Sequence, residues 1–292
     1  MTLPVPPRPL RQILSATECV TASSAFDPIS ARIAQSLGFE VAVMGGSVAS
    51  HTVLGAPDLI LLTMTELVEQ ARRICRAAPI PLIVDADHGY GNALNVVRTV
   101  QELQAAGVAG ITIEDTLLPR AFGASSAPQL VSLDEGVGKM KAALKGRGAG
   151  AALVFGRTSA ASITGVDDAI RRLRAYEAVG VDALFVPGLK KREDVDRIAD
   201  AVKLPLILGG GSEAVGDLQY LASRGVRVWL WGHQPFAIAV KALHDAMKAV
   251  RDGIKPAALA GIMPTQDAPE SLLKQFTEAA EYDALTKDLL GE

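Results

Sequence analysis

The chain has 292 residues, of which 49% are hydrophobic, 21% are charged and only 4% are aromatic. Its 29 basic and 32 acidic residues leave a net charge of −3. This balance excludes a disordered chain, and the absence of a basic block argues against a nucleic-acid-binding protein. Two cysteines, Cys19 and Cys75, are too few for a disulfide scaffold or a cysteine-based metal site. We therefore expect a globular protein of the cytoplasm.

The apolar stretches are too short to form a membrane span. The longest, such as 41–50 and 79–84, run for about ten residues or fewer, whereas ~20 are needed to cross a bilayer. The N-terminus contains Arg8, Arg11 and four prolines, but no apolar core of a signal peptide follows. We expect an exposed N-terminal arm and no membrane partner.

One pattern recurs along the chain: a helix-like stretch ends in Gly, and Val or Phe then begins a short apolar run. Glycine is favoured just past a helix because the backbone turns left-handed there. The runs do not alternate with polar residues, which is typical of strands buried on both faces. Such runs follow Gly38, Gly107, Gly180 and Gly225, and Pro81 and Pro205 introduce two more.

Eight strands alternate with amphipathic helical stretches, which predicts an α/β fold of the (β/α)₈ barrel type. A doubly wound dinucleotide-binding sheet is the alternative, but neither Gly-rich segment, 89–94 or 209–216, has the required G-x-G-x-x-G spacing. The strands are predicted near 19–22, 41–44, 82–85, 110–114, 152–156, 183–186, 205–208 and 226–230. Helical stretches include 65–77, 93–106, 166–179 and 214–223.

The alternating pattern ends after Pro256. We expect a barrel domain over residues 1–256 and a helical extension over 257–292, with helices near 270–280 and 282–289. Such a tail suits a local lid or an arm that packs on a neighbouring subunit.

Catalytic residues of (β/α)₈ barrels lie at the carboxyl ends of the strands. Asp85 and Asp87 alternate at the end of one predicted strand, so both side chains can face the same way, and Glu114 ends the next strand. Three carboxylates without a thiol would repel one another unless a hard cation such as Mg²⁺ or Mn²⁺ neutralised them. The alternative is that these acids cap the helices that follow.

Other strand ends carry groups suited to a carboxylate substrate. Arg157 can bind a substrate carboxylate through two hydrogen bonds, or it can form a salt bridge with an acidic residue. His233 can donate to the substrate or transfer a proton, or be structural. Ser47, after two glycines, can hold an oxyanion or mark a tight turn before a helix. His88 can support a neighbouring metal ligand.

The motifs DADHGYG at 85–91, GITIEDT at 110–116 and GRTSA at 156–160 resemble those of the isocitrate lyase/phosphoenolpyruvate mutase superfamily. The segment SARIAQSLGFEVAVMGGSVAS at 30–50 is also similar, and the resemblance covers nearly the whole chain. The segments NALNVVRTVQELQAAGV and WGHQPF are most similar to the oxaloacetate decarboxylase branch.

This resemblance implies a barrel with its last helix exchanged between subunits, usually in a tetramer built as a dimer of dimers. The extension 257–292 suits that exchange. It also implies a Mg²⁺-bound 2-oxo acid or its enolate in the barrel mouth. By motif position, Asp85 would bind the metal directly and Asp58, Asp87 and Glu114 would hold its waters, while Ser47, Arg157 and His233 would contact the substrate.

The segment 116–132 departs from two branches of the superfamily. It reads TLLPRAFGASSAPQLVS and lacks the cysteine that lyases of the family use as acid or base. It also lacks the lysines and the nucleophilic asparagine of the phosphonate-forming mutases. The segment is rich in small residues and proline, which is compatible with a lid that excludes water.

Decarboxylation of oxaloacetate to pyruvate and CO₂ needs fewer catalytic groups than either of these reactions. We expect this reaction with Mg²⁺, or with Mn²⁺ in its place. Within it, His233 either orients the substrate or protonates the enolate at C3. One alternative is a carbon–carbon lyase of the same superfamily acting on a 2-hydroxy diacid such as an alkylmalate or methylisocitrate. A second is a catalytically silent barrel that serves as a binding subunit.

Overall fold

The computed structural model describes residues 7–124, 126–255 and 269–291. The chain divides into two compact units, residues 1–232 and residues 233–292. In the first, eight parallel strands form a closed barrel in sequence order, with β1 paired to β8. The predicted barrel is confirmed and the doubly wound alternative is wrong. The strands are β1 (Val20–Ser24), β2 (Ala42–Met44), β3 (Leu82–Asp85), β4 (Gly110–Glu114), β5 (Leu153–Arg157), β6 (Ala183–Pro187), β7 (Leu206–Gly209) and β8 (Val226–Leu230).

In the first unit one helix precedes β1, and the other helices lie in the connections between the strands. Among its described residues the second unit contains three helices, two of which lie close to the helices predicted near 270–280 and 282–289. The helices are α1 (Leu10–Ser15), α2 (Pro28–Ser36), α3 (Gly46–Leu54), α4 (Met64–Ala77), α5 (Ala93–Ala105), α6 (Leu133–Arg147), α7 (Ala160–Ile163), α8 (Val166–Val179), α9 (Arg192–Ala201), α10 (Leu218–Ser223), α11 (Gln234–Arg251), α12 (Pro269–Phe276) and α13 (Ala279–Leu290).

The four glycines predicted to end helices all have positive φ angles, between 77° and 96°. The helix predicted over 214–223 begins only at Leu218, because Asp217 accepts hydrogen bonds from the backbone N–H groups of Gln219 and Tyr220 and so caps it there. The boundary predicted at residue 256 borders a stretch outside the described residues and stays a prediction. None of the helices in the described part of the chain has the length and apolar character needed to span a bilayer.

Alternate residues of the strands point inward and form one buried apolar cluster, which includes Val20, Val43, Phe155 and Val228. Apolar residues of α1 belong to the same cluster, so this helix packs against the inside of the barrel. Gly110 makes room there, since a side chain at its position would collide with the ring of Phe155.

Candidate active site

The inward-facing rows continue to the carboxyl ends of three neighbouring strands, where they become polar. On β3 the row passes from Ile83 to Asp85, and on β5 it passes from Phe155 to Arg157. Thr112 of β4 is the register partner of Asp85, and Glu114 is the register partner of Arg157. The fold therefore places two of the predicted acids and the predicted arginine side by side at the mouth.

Arg157 forms ion pairs with both acids. Its Nη1 contacts Oδ2 of Asp85, and its Nη2 lies 3.0 Å from Oε2 of Glu114. The hydroxyl of Thr112 donates to the other oxygen of Asp85 at 2.8 Å. Burial disfavours the charged guanidinium, but the charges of Asp85 and Glu114 outweigh it and raise the pKa of Arg157. The salt-bridge alternative for Arg157 is thus what the structure shows, and its role toward a substrate stays a prediction.

Asp87 lies just beyond β3 in a left-handed conformation, with φ of 47°. Its carbonyl accepts a hydrogen bond from the backbone N–H of Glu114 at 2.8 Å, which ties it to β4. Its carboxylate packs directly on Gly46, at the start of α3: a Cβ at that position would lie 2.6 Å from both oxygens. Burial and the neighbouring charges of Asp85 and Glu114 raise the pKa of Asp87 well above its usual range.

The mouth holds more carboxyl groups than Arg157 pairs with. Burial also raises the pKa of Glu114, and the charge of Asp85 adds to this effect. Asp58 lies at the exposed rim, where loss of hydration and the charge of Asp85 raise the pKa of its carboxyl. All four predicted metal-site acids therefore share one electrostatic environment.

These acids do not cap the helices that follow them, so that alternative is wrong. Asn92 accepts from the backbone at the start of α5, and Ser132 does so at the start of α6. Other buried polar atoms near the acids have no hydrogen-bond partner among the described residues, including Nε of Arg157 and the hydroxyl of Tyr90. Within the described ranges, no three carboxylate, imidazole or thiol groups lie close enough to ligate one ion directly.

The other side of the barrel mouth is apolar. Phe185, in the middle of β6, is the register partner of Arg157, and its ring centroid lies 5.4 Å from the guanidinium carbon. Gly209 of β7 packs beside Phe185, and Leu230 ends β8 within the same buried cluster. The strand ends thus divide into a charged side, from β3 to β5, and an apolar side, from β6 to β8.

A lysine that the sequence analysis overlooked lies behind the acidic motif. Lys139 of α6 is buried, and its ammonium group donates to the carbonyls of His88 and Gly91 at 2.7 and 3.1 Å. Burial lowers its pKa. The signal was its place on the small-residue face of α6, at helical spacing from Gly136 and Ala143.

His88 is buried, and both burial and the charge of Lys139 lower its pKa to about 4, so its ring is neutral at pH 7. Its Nδ1 has no hydrogen-bond partner in the described part of the chain. The predicted role of His88 in supporting a metal ligand stays a prediction for its imidazole. Its backbone carbonyl makes the contact with Lys139.

The segment 116–132 is fixed at its base. Thr116 and Leu130 form an antiparallel bridge, and the N–H of Val131 donates to the carbonyl of Asp115 at 2.8 Å. The carboxylate of Asp115 is fully buried and accepts from Arg172 at 3.1 Å and from Tyr176 at 2.6 Å. A buried charged network from α8 thus holds the end of β4 and the base of the predicted lid.

Two predicted substrate contacts are less defined. Ser47 is half-buried in the first turn of α3, which begins at Gly46, so it lies inside the helix rather than in a turn before it. Its oxyanion role stays a prediction. His233 is half-buried and immediately precedes α11, as the first residue of the second compact unit. Its role toward the substrate also stays a prediction.

A closed (β/α)₈ barrel with acids and an arginine at the carboxyl ends of adjacent strands defines a barrel enzyme. The phosphoenolpyruvate phosphomutase family matches residues 10–251. The oxaloacetate decarboxylase of Paraburkholderia xenovorans (strain LB400) is 54% identical over 284 residues, which cover 97% of this chain and 93% of the relative. The chain therefore belongs to the phosphoenolpyruvate mutase/isocitrate lyase superfamily, as its motifs predicted.

Solved structures agree with this assignment. A 2,3-dimethylmalate lyase of the superfamily has a TM-score of 0.81 and 27% identity, and the match covers 95% of this chain and 97% of that one. A phosphonopyruvate hydrolase in complex with oxalate and Mg²⁺ has a TM-score of 0.83 and 27% identity, with 96% and 98% covered. The relative that is 54% identical is named for oxaloacetate decarboxylation, the activity that the sequence analysis predicts.

Proposed function

We propose that this enzyme decarboxylates oxaloacetate to pyruvate and CO₂ with the help of a divalent cation. The observation that carries the proposal is the group of carboxyl groups at the mouth, where Asp85 and Glu114 already pair with Arg157 and the buried Asp87 lies close enough to interact with them. Relatives that share 51–55% of their residues with this chain bear the name of that activity.

The residues at the mouth fit Mg²⁺ or Mn²⁺. The donor set is all oxygen, and such ions use one or two carboxylates directly and keep several waters. Asp85 would bind the ion, and Asp58, Asp87 and Glu114 would hold its waters. When bound, the ion would supply positive charge that withdraws electrons from the 2-oxo group. The oxalate and Mg²⁺ bound to the phosphonopyruvate hydrolase support this assignment.

Arg157 and Ser47 bind the 2-oxo acid end of the substrate. A guanidinium matches a carboxylate through two parallel hydrogen bonds, and the Ser47 hydroxyl with the first backbone N–H groups of α3 adds further donors. The C3–C4 bond breaks, C4 leaves as CO₂, and the electron pair forms the enolate of pyruvate. A proton added at C3 completes pyruvate, and His233 either delivers this proton or orients the substrate.

The apolar side of the mouth suits the carboxylate that leaves. Its charge disappears as CO₂ forms, so a cation that paired with it would stabilise the substrate more than the transition state. Phe185, Gly209 and Leu230 offer no such cation. The 4-carboxylate therefore lies toward this side, and the 2-oxo acid end lies toward Arg157.

A carbon–carbon lyase of the same superfamily is the second candidate, favoured by the fold similarity to 2,3-dimethylmalate lyase. Segment 116–132 lacks the cysteine that such lyases use, and neither cysteine of this chain replaces it. Cys19 precedes β1, at the end of the barrel opposite the acids, and Cys75 lies in α4. Burial raises the pKa of these thiols to about 12 and about 11, so neither forms a thiolate readily.

The assembly proposed with this function is a homotetramer in which the last helices are exchanged between subunits. Helix α11 supports it, because several of its apolar side chains are exposed, among them Ile238, Leu243 and Met247. The cytoplasm is the proposed compartment, since two unpaired cysteines are typical of a reducing environment.

The test is a coupled pyruvate assay on oxaloacetate, with and without Mg²⁺ or Mn²⁺, after subtraction of the decarboxylation that the metal catalyses by itself. We expect pyruvate release that requires both enzyme and metal and that disappears in Asp85→Ala. Release of a 2-oxo acid from an alkylmalate-type diacid, without turnover of oxaloacetate, would instead support the lyase. A binding subunit would turn over neither compound.

A further inference from the structure

We infer that Lys139 is a positioning residue that clamps the turn at 88–91 and thereby holds Asp87 toward the metal site. This inference rests on the proposed function, because it assigns Lys139 a task at the proposed cation site. Lys139 itself touches no acid of that site: its ammonium group donates to the carbonyls of His88 and Gly91.

The turn needs such a clamp because its backbone is in an unfavourable conformation. Asp87 and Tyr90 have φ angles of 47° and 61°, and Gly89 and Gly91 between and after them are also positive. A left-handed conformation is unfavourable for a residue with a Cβ, because the Cβ comes too close to the following carbonyl oxygen. Contacts from outside must hold this turn in a single arrangement.

Those contacts come from the helices behind the turn. The carbonyls of His88 and Gly91 accept from Lys139, and the carbonyl of Gly89 accepts from the hydroxyl of Thr99 on α5 at 3.1 Å. Three carbonyls of one four-residue turn are therefore held by two buried side chains. On the other side of the turn, Asp87 packs on Gly46 with no room to spare.

Lys139 is also a positive charge, and the charges of Glu135, Glu114 and Asp115 lie close enough to interact with it. The effect of removing Lys139 on cation binding therefore distinguishes a positioning role from a purely electrostatic one. If Lys139 acted only as a charge, its removal would strengthen cation binding, because a nearby positive charge repels the cation. If it holds the turn, its removal weakens cation binding in spite of the lost repulsion.

The experiment compares Lys139→Met with Lys141→Met, an exposed lysine two residues further along α6. Mn²⁺ affinity is measured by titration, and amide hydrogen exchange at 87–91 is measured on the metal-free protein. We expect at least tenfold weaker Mn²⁺ binding and at least tenfold faster exchange in Lys139→Met, and neither change in Lys141→Met. Lys139→Arg, which keeps the charge and the donors, should recover part of both.

Mn²⁺ binding that is unchanged or tighter in Lys139→Met overturns the inference, as does unchanged exchange at 87–91. If wild-type protein binds no Mn²⁺, the proposed function fails, while the exchange measurement still decides whether Lys139 clamps the turn. If Lys139→Met does not fold, Thr99→Val provides the test, since it frees only the Gly89 carbonyl. Faster exchange and weaker Mn²⁺ binding in that variant support the clamp, and wild-type values overturn it.

Discussion

Glu114 and Arg157 are register partners on neighbouring strands, and Oε2 of the acid lies 3.0 Å from Nη2 of the arginine at the barrel mouth. The same guanidinium contacts Asp85 on the next strand, so one cation joins the ends of β3, β4 and β5. The proposed metal ion and Arg157 therefore draw on the same carboxylates. Replacing Arg157 should consequently affect metal and substrate in opposite directions.

We expect Arg157→Met to bind Mn²⁺ at least as tightly as wild type, because a competing positive charge is removed. The same variant should bind oxalate, a mimic of the enolate, more than tenfold more weakly in the presence of Mn²⁺, since the guanidinium that grips the carboxylate is gone. Titrations with Mn²⁺ and then with oxalate measure both effects. The control is Arg197→Met, at an exposed pair on the helices. An unchanged oxalate affinity in Arg157→Met would show that Arg157 does not bind the substrate carboxylate.

Asp85→Ala should abolish metal-dependent turnover and leave a folded barrel. Arg157 retains Glu114 as an ion-pair partner in this variant, so no buried charge is left unpaired. Pyruvate release and the circular dichroism spectrum check the two expectations. Asp167→Ala, at a carboxylate 90% exposed, is the matched control and should retain activity. Normal turnover in Asp85→Ala would exclude a direct metal ligand at this position.

Gly46→Ala should disable the site by a steric route. Its new Cβ would lie 2.6 Å from both carboxylate oxygens of Asp87, so the carboxylate must move. We expect at least tenfold weaker Mn²⁺ binding with a small change in melting temperature. Gly138→Ala is the control, because nothing lies within 4 Å of a Cβ there, and alanine should stabilise α6 by about 0.5–1 kcal/mol. Wild-type Mn²⁺ affinity in Gly46→Ala would mean that the position of Asp87 is unimportant.

The network beneath segment 116–132 should make stability depend on acidic pH. Burial alone would raise the pKa of Asp168, but hydrogen bonds from Thr164, Arg171 and Arg172 outweigh it and lower the pKa to about 2. Because the folded-state pKa is below the unfolded one, of about 3.9, the carboxylate stabilises the fold above that value. Its contribution is lost as the pH falls toward 2.

Urea unfolding of wild type and Asp168→Asn checks this expectation. Wild type should be more stable at pH 6, and the difference in the free energy of unfolding should shrink between pH 4 and pH 3. Asp167→Asn should differ little from wild type throughout, since exposed ion pairs contribute about 0–1 kcal/mol. A difference for Asp168→Asn that stays constant down to pH 3 would contradict the assignment.

The amino-acid sequence was enough to predict the barrel and the end of it that carries the candidate site residues. Glycines after helices and apolar runs without alternation are local signals, and they predicted all eight strands within about two residues. The positions of Asp85, Glu114 and Arg157 followed, because residues at strand ends must meet at one end of a barrel. The motifs added the family, which the comparisons confirmed.

Which side chains are in contact with one another is known only from the folded structure. The pairing of Arg157 with Asp85, the contact of Asp87 with Gly46 and the burial of Lys139 each join segments far apart in the chain. No local pattern specifies such contacts, since they depend on strand register and on how each helix packs. Lys139 is the clearest case: its spacing places it on the small-residue face of α6, but only packing makes it the donor to a buried turn.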